Sequence, residues 1–417
     1  MPEKIDYFDR VSENREQKYH ERSLRNYNSA GRQKRSAVDL PLVVLTLVIL
    51  TIGVVMVLSA SYARAYYTIG NPTNYFVRQA GFAVAGVAVM FLASRFRTGM
   101  YRRFAFIVLG ISIVALILVL IPGIGTGKEE TGAQRWIDLG FTTFQPSEIA
   151  KVGVILSFSA LACIYKEKMK TFKYGVVPFG AILAVIVGLL VLEPHLSGSI
   201  IIIGVGGVLM FVGGTKTKWL AAIGGIALVA GIILIRFLGY AEDRIEIWRN
   251  PFSDPTGDGY QTIQSLYAIG SGGLLGLGFG QGRQKFLYLP EEHNDFIFSI
   301  VCEELGFVGA VFILFLFALL IIRGYWIALH ARDRFGSLIA TGITTLFAIQ
   351  VFLNVAVVTN LFPCTGVSLP FFSYGGTALL IQMFEIGIIL SVSREIPMKK
   401  IKENSIETER LSRGDVE

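Results

Sequence analysis

Long apolar runs alternate with short polar segments along most of the chain. A helix needs about 20 residues to cross a bilayer core of about 30 Å, and ten runs approach that length, the sixth being the shortest. They lie at 40–60, 76–94, 104–121, 148–163, 175–192, 199–212, 220–237, 296–322, 338–359 and 377–392. The pattern predicts an all-α polytopic membrane protein, a bundle of about ten transmembrane helices with a large loop between helices seven and eight.

Composition agrees with this class and charge predicts the orientation. The chain is 53% hydrophobic and only 17% charged, which excludes an ordinary soluble protein of 417 residues. Most of the 38 Lys and Arg residues fall in the segments that share a side with the N-terminus, and such segments remain in the cytoplasm. We therefore expect a basic cytoplasmic tail at 1–38, a membrane domain at 39–393 with an outer loop at 239–295, and a cytoplasmic tail at 394–417.

The remaining composition excludes several functional classes. The net charge of +7 reflects topology and attraction to anionic lipid, so nucleic acid is not expected as a partner. Three scattered cysteines form no paired framework or zinc-binding spacing. The first 36 residues have no apolar core, so no cleavable signal peptide is expected.

Four polar segments on the predicted outer side are the candidate functional surfaces, because irregular backbone at membrane depth must line protein or water. The first, at 134–151, contains the candidate substrate-binding residues Arg135, Gln145, Glu148 and Lys151. Ser147 has the features of a helix N-cap, with Glu148 at the positive end of the helix dipole. Lys151 either extends outward to the membrane interface or, with Arg135, binds phosphate oxygens; the segment alone leaves both interpretations open.

The second and fourth segments lie at 193–199 and 360–376. The second places Glu193 and His195 in a tight turn. An acid beside a histidine there could bind a metal ion or a proton, but a helix terminus explains such a pair more often. In the fourth, prolines and glycines interrupt helix formation, and the hydroxyls of Ser373 and Tyr374 suit recognition of a polar head group.

The third segment, 239–295, ends at Asp295, directly before the eighth apolar run. Partial desolvation at that position would raise the proton affinity of the carboxylate and make it a usable general base. Asp is also a favoured N-cap, and the two roles are compatible. Ser299 and Glu303 share one helical face with Asp295, so this face is expected to line a cavity. Seven glycines between 270 and 282 follow no strand, which excludes a dinucleotide fingerprint and indicates a loop or re-entrant helix.

Seven short motifs occur in order along the chain: Arg-Trp-Ile-Asp at 135–138, Gln-Pro-Ser-Glu at 145–148, Gly-Tyr-Gln at 259–261, Leu-Pro-Glu at 289–291, Asp-Phe-Ile-Phe at 295–298, Glu-Glu-Leu-Gly at 303–306 and Leu-Pro-Phe-Phe-Ser-Tyr-Gly-Gly at 369–376. Together they resemble the SEDS family, which comprises the FtsW, RodA and SpoVE proteins. The similarity covers nearly all of 39–394, and the longer basic tail favours an FtsW-like or SpoVE-like member. One departure is Glu-Pro-His-Leu-Ser-Gly-Ser at 193–199, where many members have Gln-Pro-Asp-Leu-Gly-Thr, which leaves the role of Glu193 and His195 open.

The resemblance implies an inverting peptidoglycan glycosyltransferase in the bacterial cytoplasmic membrane that polymerises lipid II for division, shape or sporulation. It implies a class B penicillin-binding protein and other division or elongation membrane proteins as partners. Asp295 matches the essential outer-loop aspartate of the family, and Arg135 and Lys151 match positions beside the substrate cavity. A divalent cation, Mg²⁺ or Mn²⁺, is expected to help neutralise the departing diphosphate. The alternatives are a flippase of the lipid-linked precursor and a non-catalytic scaffold.

Overall fold

A computed structural model describes residues 37–127, 134–140, 142–237 and 246–396, with the side chains of 227, 228 and 230–237 left out. The predicted tails at 1–38 and 394–417 therefore fall almost entirely outside the described residues. Within them the chain is built mainly from helices. The long helices are α1 Leu40–Ile69, α2 Asn74–Arg95, α3 Thr98–Val119, α4 Pro146–Tyr165, α5 Val177–Leu192, α6 Leu196–Val212, α7 Thr217–Phe237, α8 Tyr260–Gly272, α9 Ile297–Leu329, α10 Arg334–Val358 and α11 Gly376–Ser393.

The predicted class, a mostly helical membrane protein, is confirmed. Each of the ten apolar runs is a helix, and across the described residues eight helices are long and apolar enough to cross a membrane. The α6 helix has only 17 residues and does not meet that length, as its short apolar run predicted. The number of ten spans therefore stays a prediction.

Two features of the fold were not predicted from the sequence. Between α3 and α4 the chain forms a small antiparallel sheet in the order β1 Gly125–Thr126, β2 Trp136–Asp138, β3 Thr143–Phe144. The segment between α7 and α9 contains α8, whose buried positions pack against α9. The small sheet lies in a segment predicted only as a loop, and α8 begins ten residues before the glycine-rich run for which a loop or a re-entrant helix was predicted.

The α4 helix lies at the centre of the bundle. It packs along α3, α6 and α10, and 89% of its most apolar window is buried, more than in any other candidate span. Gly153 permits this approach, because a Cβ there would lie 3.2 Å from the Leu109 Cα of α3. Polar groups in the first turn of α4 are consequently held inside protein.

The α9 helix is interrupted at Gly306, and the glycine-rich segment that follows α8 packs against the interruption. Gly306 has φ +69° and ψ −170°, a conformation open essentially to glycine alone. The freed backbone groups find partners: Leu277 N donates to Glu303 O at 3.0 Å, and Phe307 N donates to Gly273 O at 2.9 Å. The glycines after α8 therefore shape a loop, one of the two forms that their sequence context predicted.

Candidate active site

The four polar segments converge at one end of the bundle. Arg135, which precedes β2, donates from Nε to Glu193 O at 3.3 Å and from Nη2 to Pro194 O, which joins the first and second segments. Ser197 Oγ donates to Thr365 O, which joins the second and fourth. These contacts bring together residues that are far apart in sequence.

Two further contacts complete the arrangement. Thr377 Oγ1 donates to Thr143 O at 2.8 Å and ties the start of α11 to β3. Gly366 lies against Asp295, because a Cβ at that glycine would be 3.0 Å from Asp295 Oδ2. Gly366 also has φ +62°, a conformation that side-chain-bearing residues rarely adopt. The fourth segment therefore passes directly beside the Asp295 carboxylate.

Asp295 does not cap the helix that follows it, and the interpretation of this residue as an N-cap is wrong. The N-cap position of α9 is Phe296, and α9 has no side-chain cap hydrogen bond. The described residues donate no hydrogen bond to the Asp295 carboxylate; the structural bond at this residue uses its backbone oxygen, which accepts from Asn354 Nδ2 at 2.8 Å. The carboxylate is therefore uncommitted to the fold.

The surroundings of Asp295 make it a stronger base than an exposed aspartate. Burial raises the pKa of Asp295 to about 6, and the negative charge of Glu291 adds to the increase. The guanidinium of Arg135 and the imidazole of His293 act in the opposite direction. Near neutral pH the carboxylate is mostly ionised yet binds a proton far more readily than usual.

Glu148 and Lys151 form a buried ion pair in the first turn of α4. Lys151 Nζ lies 2.7 Å from Glu148 Oε2, and the two side chains are only 5% and 8% exposed. The interpretation of Lys151 as a lysine extending to the membrane interface is therefore wrong. The predicted cap is also wrong: Gln145, half-buried, occupies the N-cap position and Pro146 begins the helix, so Ser147 lies one residue inside it. Proline is favoured at a first helical position because it has no N–H to satisfy.

Glu193 and His195 occupy the C-cap position of α5 and the N-cap position of α6, so the favoured helix terminus is confirmed, and both residues also lie in the site. Neither oxygen of the Glu193 carboxyl group has a hydrogen-bond partner among the described residues, and the same holds for His195 Nδ1. Burial raises the pKa of Glu193 to about 8, with Arg135 opposing it, and burial lowers the pKa of His195 to about 3. Both groups are consequently neutral near pH 7.

Ser373 and Tyr374, expected to recognise a head group, are both engaged with the protein. Ser373 Oγ accepts from Leu369 N at 2.7 Å and donates to Asn294 O at 2.8 Å. The Tyr374 ring packs edge-on against Tyr75, with ring centroids 4.9 Å apart, and burial raises the pKa of its hydroxyl. Their predicted roles in substrate binding stay predictions.

The polar face of α9 is covered by protein, so the expected cavity beside Ser299 and Glu303 is wrong. Ser299 Oγ lies 2.7 Å from Ser265 Oγ of α8. The Glu303 carboxylate accepts from Arg283 N at 2.7 Å and from Gln284 N at 3.2 Å. The expectation failed because α8 and the glycine-rich segment fold back onto this face, which therefore avoids lipid without lining open space.

Three residues near the site were missed from the sequence. Glu292, fully buried, forms a bidentate pair with Arg64 of α1, with both N–O distances 2.7 Å. Glu385 is buried in α11, and Asn354 is fully buried in α10. Polar residues inside apolar runs are costly in a membrane, and that signal identifies Asn354 and Glu385 in retrospect.

No group of three or more His, Cys, Asp or Glu side chains in the described part of the chain is arranged to hold a metal ion. Mg²⁺ is commonly bound through one or two carboxylates together with water and substrate phosphates, which requires no such group. The expected divalent cation therefore stays a prediction.

The fold and the site together define a multi-pass membrane protein with an uncommitted, partly buried carboxylate at one end of its helical bundle. A family model described as "Cell cycle protein", named for FtsW, RodA and SpoVE, matches residues 40–397. The chain belongs to this family, as the motifs predicted.

Individual relatives agree with this assignment. Stage V sporulation protein E of Bacillus subtilis is 41% identical over 87% of this chain and 98% of its own length. A protein of Trichlorobacter lovleyi named probable peptidoglycan glycosyltransferase FtsW is 39% identical over 85% of this chain and 93% of its own length.

Solved structures show the same fold. A chain from a peptidoglycan synthase complex, described as coordinating polymerization and crosslinking, matches with a TM-score of 0.70 and 30% identity over 87% of this chain and 99% of that chain. The rod shape determining protein RodA of Thermus thermophilus matches with a TM-score of 0.64 and 29% identity over the same shares.

Proposed function

We propose that this protein is a peptidoglycan glycosyltransferase that polymerises lipid II at the outer face of the bacterial cytoplasmic membrane, with both termini in the cytoplasm. Several relatives that match along most of the chain are named probable peptidoglycan glycosyltransferases. The observation that carries the proposal is the Asp295 carboxylate, which makes no hydrogen bond to the described residues and has a pKa raised by burial to about 6.

In this reaction Asp295 acts as the general base. It removes the proton from the 4-hydroxyl of the acceptor's terminal GlcNAc, and the resulting oxygen attacks the anomeric carbon of the donor's MurNAc. The bond from that carbon to the lipid diphosphate breaks, and its electron pair leaves with the diphosphate. A single displacement inverts the anomeric carbon and needs no covalent enzyme intermediate.

The charge that develops on the diphosphate needs nearby positive groups. Arg135 meets this requirement because its positive charge is close enough to lower the pKa values of Asp295, Glu193 and His195. The positive charge of Lys151 also lowers the pKa of His195. The ion pair with Glu148 neutralises part of that charge. A divalent cation that arrives with the diphosphate would supply further positive charge. The roles proposed for Asp295, Arg135 and Lys151 do not depend on this cation.

A class B penicillin-binding protein is the proposed partner, because the polymer must be crosslinked after it is made. Other division or elongation membrane proteins would recruit the pair. The similarity to a chain of a peptidoglycan synthase complex supports this assembly.

The rival functions make different predictions about products. A flippase moves intact lipid II and makes no polymer. A non-catalytic scaffold would keep its function when Asp295 is substituted. The purified protein, with and without a cognate class B penicillin-binding protein, should be incubated with labelled lipid II. We expect glycan ladders and stoichiometric release of undecaprenyl diphosphate; transport of intact lipid II without either product would support the flippase instead.

The pH dependence of the reaction should report the ionisation of Asp295. Only the deprotonated carboxylate accepts a proton, so kcat/KM should fall as pH decreases through about 6, the pKa of this group in the folded protein. Glu291→Gln removes a negative charge that raises this pKa, so the midpoint should move to lower pH. The measurement is the rate of ladder formation between about pH 4 and 8, roughly two units either side of that midpoint.

The control for this experiment is Glu167→Gln, which removes an exposed carboxylate in the turn after α4. That variant should keep the midpoint of the parent protein. An acid limb that is unaffected by Glu291→Gln, or that is centred near pH 4, would contradict the assignment of Asp295 as the titrating group.

A further inference from the structure

The backbone that leads into Asp295 is held from outside by three successive hydrogen bonds. Each donor belongs to α10 or to the segment before α11, and each acceptor is one of three consecutive carbonyl oxygens. The bonds run from Tyr374 N to His293 O at 2.9 Å, from Ser373 Oγ to Asn294 O at 2.8 Å, and from Asn354 Nδ2 to Asp295 O at 2.8 Å.

These bonds matter because the 291–296 stretch has no regular pattern of helix or strand hydrogen bonds of its own. It is a turn in which Asn294 N and Phe296 N both donate to Glu291 O, at 3.1 and 3.2 Å, and Glu291 has φ +53°. The Asp295 carboxylate accepts no hydrogen bond from the described residues. The position of this side chain is therefore determined by its backbone, and the backbone by the three outside donors.

The two side-chain donors also connect this turn to the neighbouring loop. Asn354, fully buried, uses its second Nδ2 hydrogen on Val367 O at 2.6 Å, one residue from the Gly366 that lies against the Asp295 carboxylate. Ser373 Oγ accepts from Leu369 N at 2.7 Å while it donates to Asn294 O. Each side chain thus joins the turn before α9 to the 366–373 loop.

We propose that Ser373 and Asn354 are positioning residues that hold Asp295 at the distance required for proton transfer from the acceptor hydroxyl. This inference rests on the proposed function. It replaces the expected contact between Ser373 and substrate with a contact to backbone. A general base must lie within hydrogen-bond reach of its proton, and a displacement of about 1 Å reduces the rate by on the order of 100-fold.

The test compares Ser373→Ala and Asn354→Ala with the parent protein in lipid II polymerisation. We expect kcat to fall by about 10- to 100-fold while KM changes by less than about twofold, because the lost bonds displace the base rather than the substrate. The loosened carboxylate should become more hydrated, so the acid limb of the pH profile should move to lower pH. Ser373→Thr, which keeps the hydroxyl, should restore most of kcat.

The matched control is Ser391→Ala in α11. Ser391 Oγ donates to Phe96 O at 2.6 Å, so this variant removes the same kind of bond between elements at the opposite end of the bundle. It should keep the parent kcat and pH profile. Asn354→Ala is interpreted only if it remains monodisperse in detergent, and half-buried Ser373 supplies the test if it does not.

Three results would overturn the inference. Ser373→Ala could keep the parent kcat and acid limb, or raise KM alone, which would return its hydroxyl to direct substrate contact. Alternatively, Ser391→Ala could lose as much activity as Ser373→Ala. Asp295→Asn measured beside them separates the two proposals: if it is active the base assignment fails, whereas if it is inactive and Ser373→Ala is normal only the positioning role fails.

Discussion

Asp295→Asn is expected to reduce lipid II polymerisation by on the order of 10²- to 10⁴-fold, the usual contribution of a general base. Asn has nearly the same shape and volume but cannot accept the proton. The substitution should leave folding intact because the described residues donate no hydrogen bond to this carboxylate, and because its removal relieves a desolvated charge. The measurements are glycan ladder formation and thermal unfolding of the detergent-solubilised protein.

The matched control is Asp254→Asn in the same segment between α7 and α9. Asp254 is exposed, and its carboxylate accepts from Gly257 N at 3.0 Å and from Asp258 N at 3.1 Å; an Asn side chain keeps one of these two bonds. This variant should polymerise lipid II at the parent rate. Full activity of Asp295→Asn would instead assign the base to another residue and would favour the scaffold interpretation.

The fold could be predicted largely from the sequence because a bilayer imposes a length and a composition on each helix. The interruption at Gly306 could not, since one glycine in an apolar run does not reveal a left-handed conformation. The partners of that interruption lie about thirty residues earlier in the chain, as in the bond from Phe307 N to Gly273 O. A pattern with a local period contains no information about such contacts.

The candidate site was predicted in its residue types and only partly in its arrangement. Arg135 and Lys151 were predicted as the cations of the first polar segment, but the sequence left open whether Lys151 was buried. The hydroxyl of Ser373 was predicted to bind a ligand. Its actual partner is the backbone oxygen of Asn294, and the sequence alone does not show that these two residues are close in space. Convergence of four segments is a property of tertiary packing, and no single segment revealed it.

The turn at 193–199 shows where a departure from a family pattern is informative. His195 and Glu193 lie beside Arg135, and both are neutral near pH 7 because burial moves their pKa values in opposite directions. A neutral pair there adds no negative side-chain charge beside Arg135, whose guanidinium donates to the backbone oxygens of Glu193 and Pro194. Stabilisation of the diphosphate is the role proposed for that guanidinium.

Substitution in the buried Glu148–Lys151 pair is expected to have a large effect on both activity and stability. Lys151→Met should lose polymerisation activity and also lower the free energy of unfolding by about 3–5 kcal/mol, because it leaves the Glu148 carboxylate buried without its partner. The loss of stability alone would not show a role in the reaction. Activity and thermal unfolding must therefore be measured on the same preparation.

A double substitution separates the structural and functional roles of this lysine. Glu148→Gln combined with Lys151→Met removes both charges from the first turn of α4, so most of the lost stability should return, since replacing a whole buried ion pair is often nearly neutral. Polymerisation should stay low because the positive charge near the diphosphate is still absent. If the double variant recovered both stability and turnover, the pair would serve only to hold α4 in place, and Arg135 alone would supply the cationic part of the site.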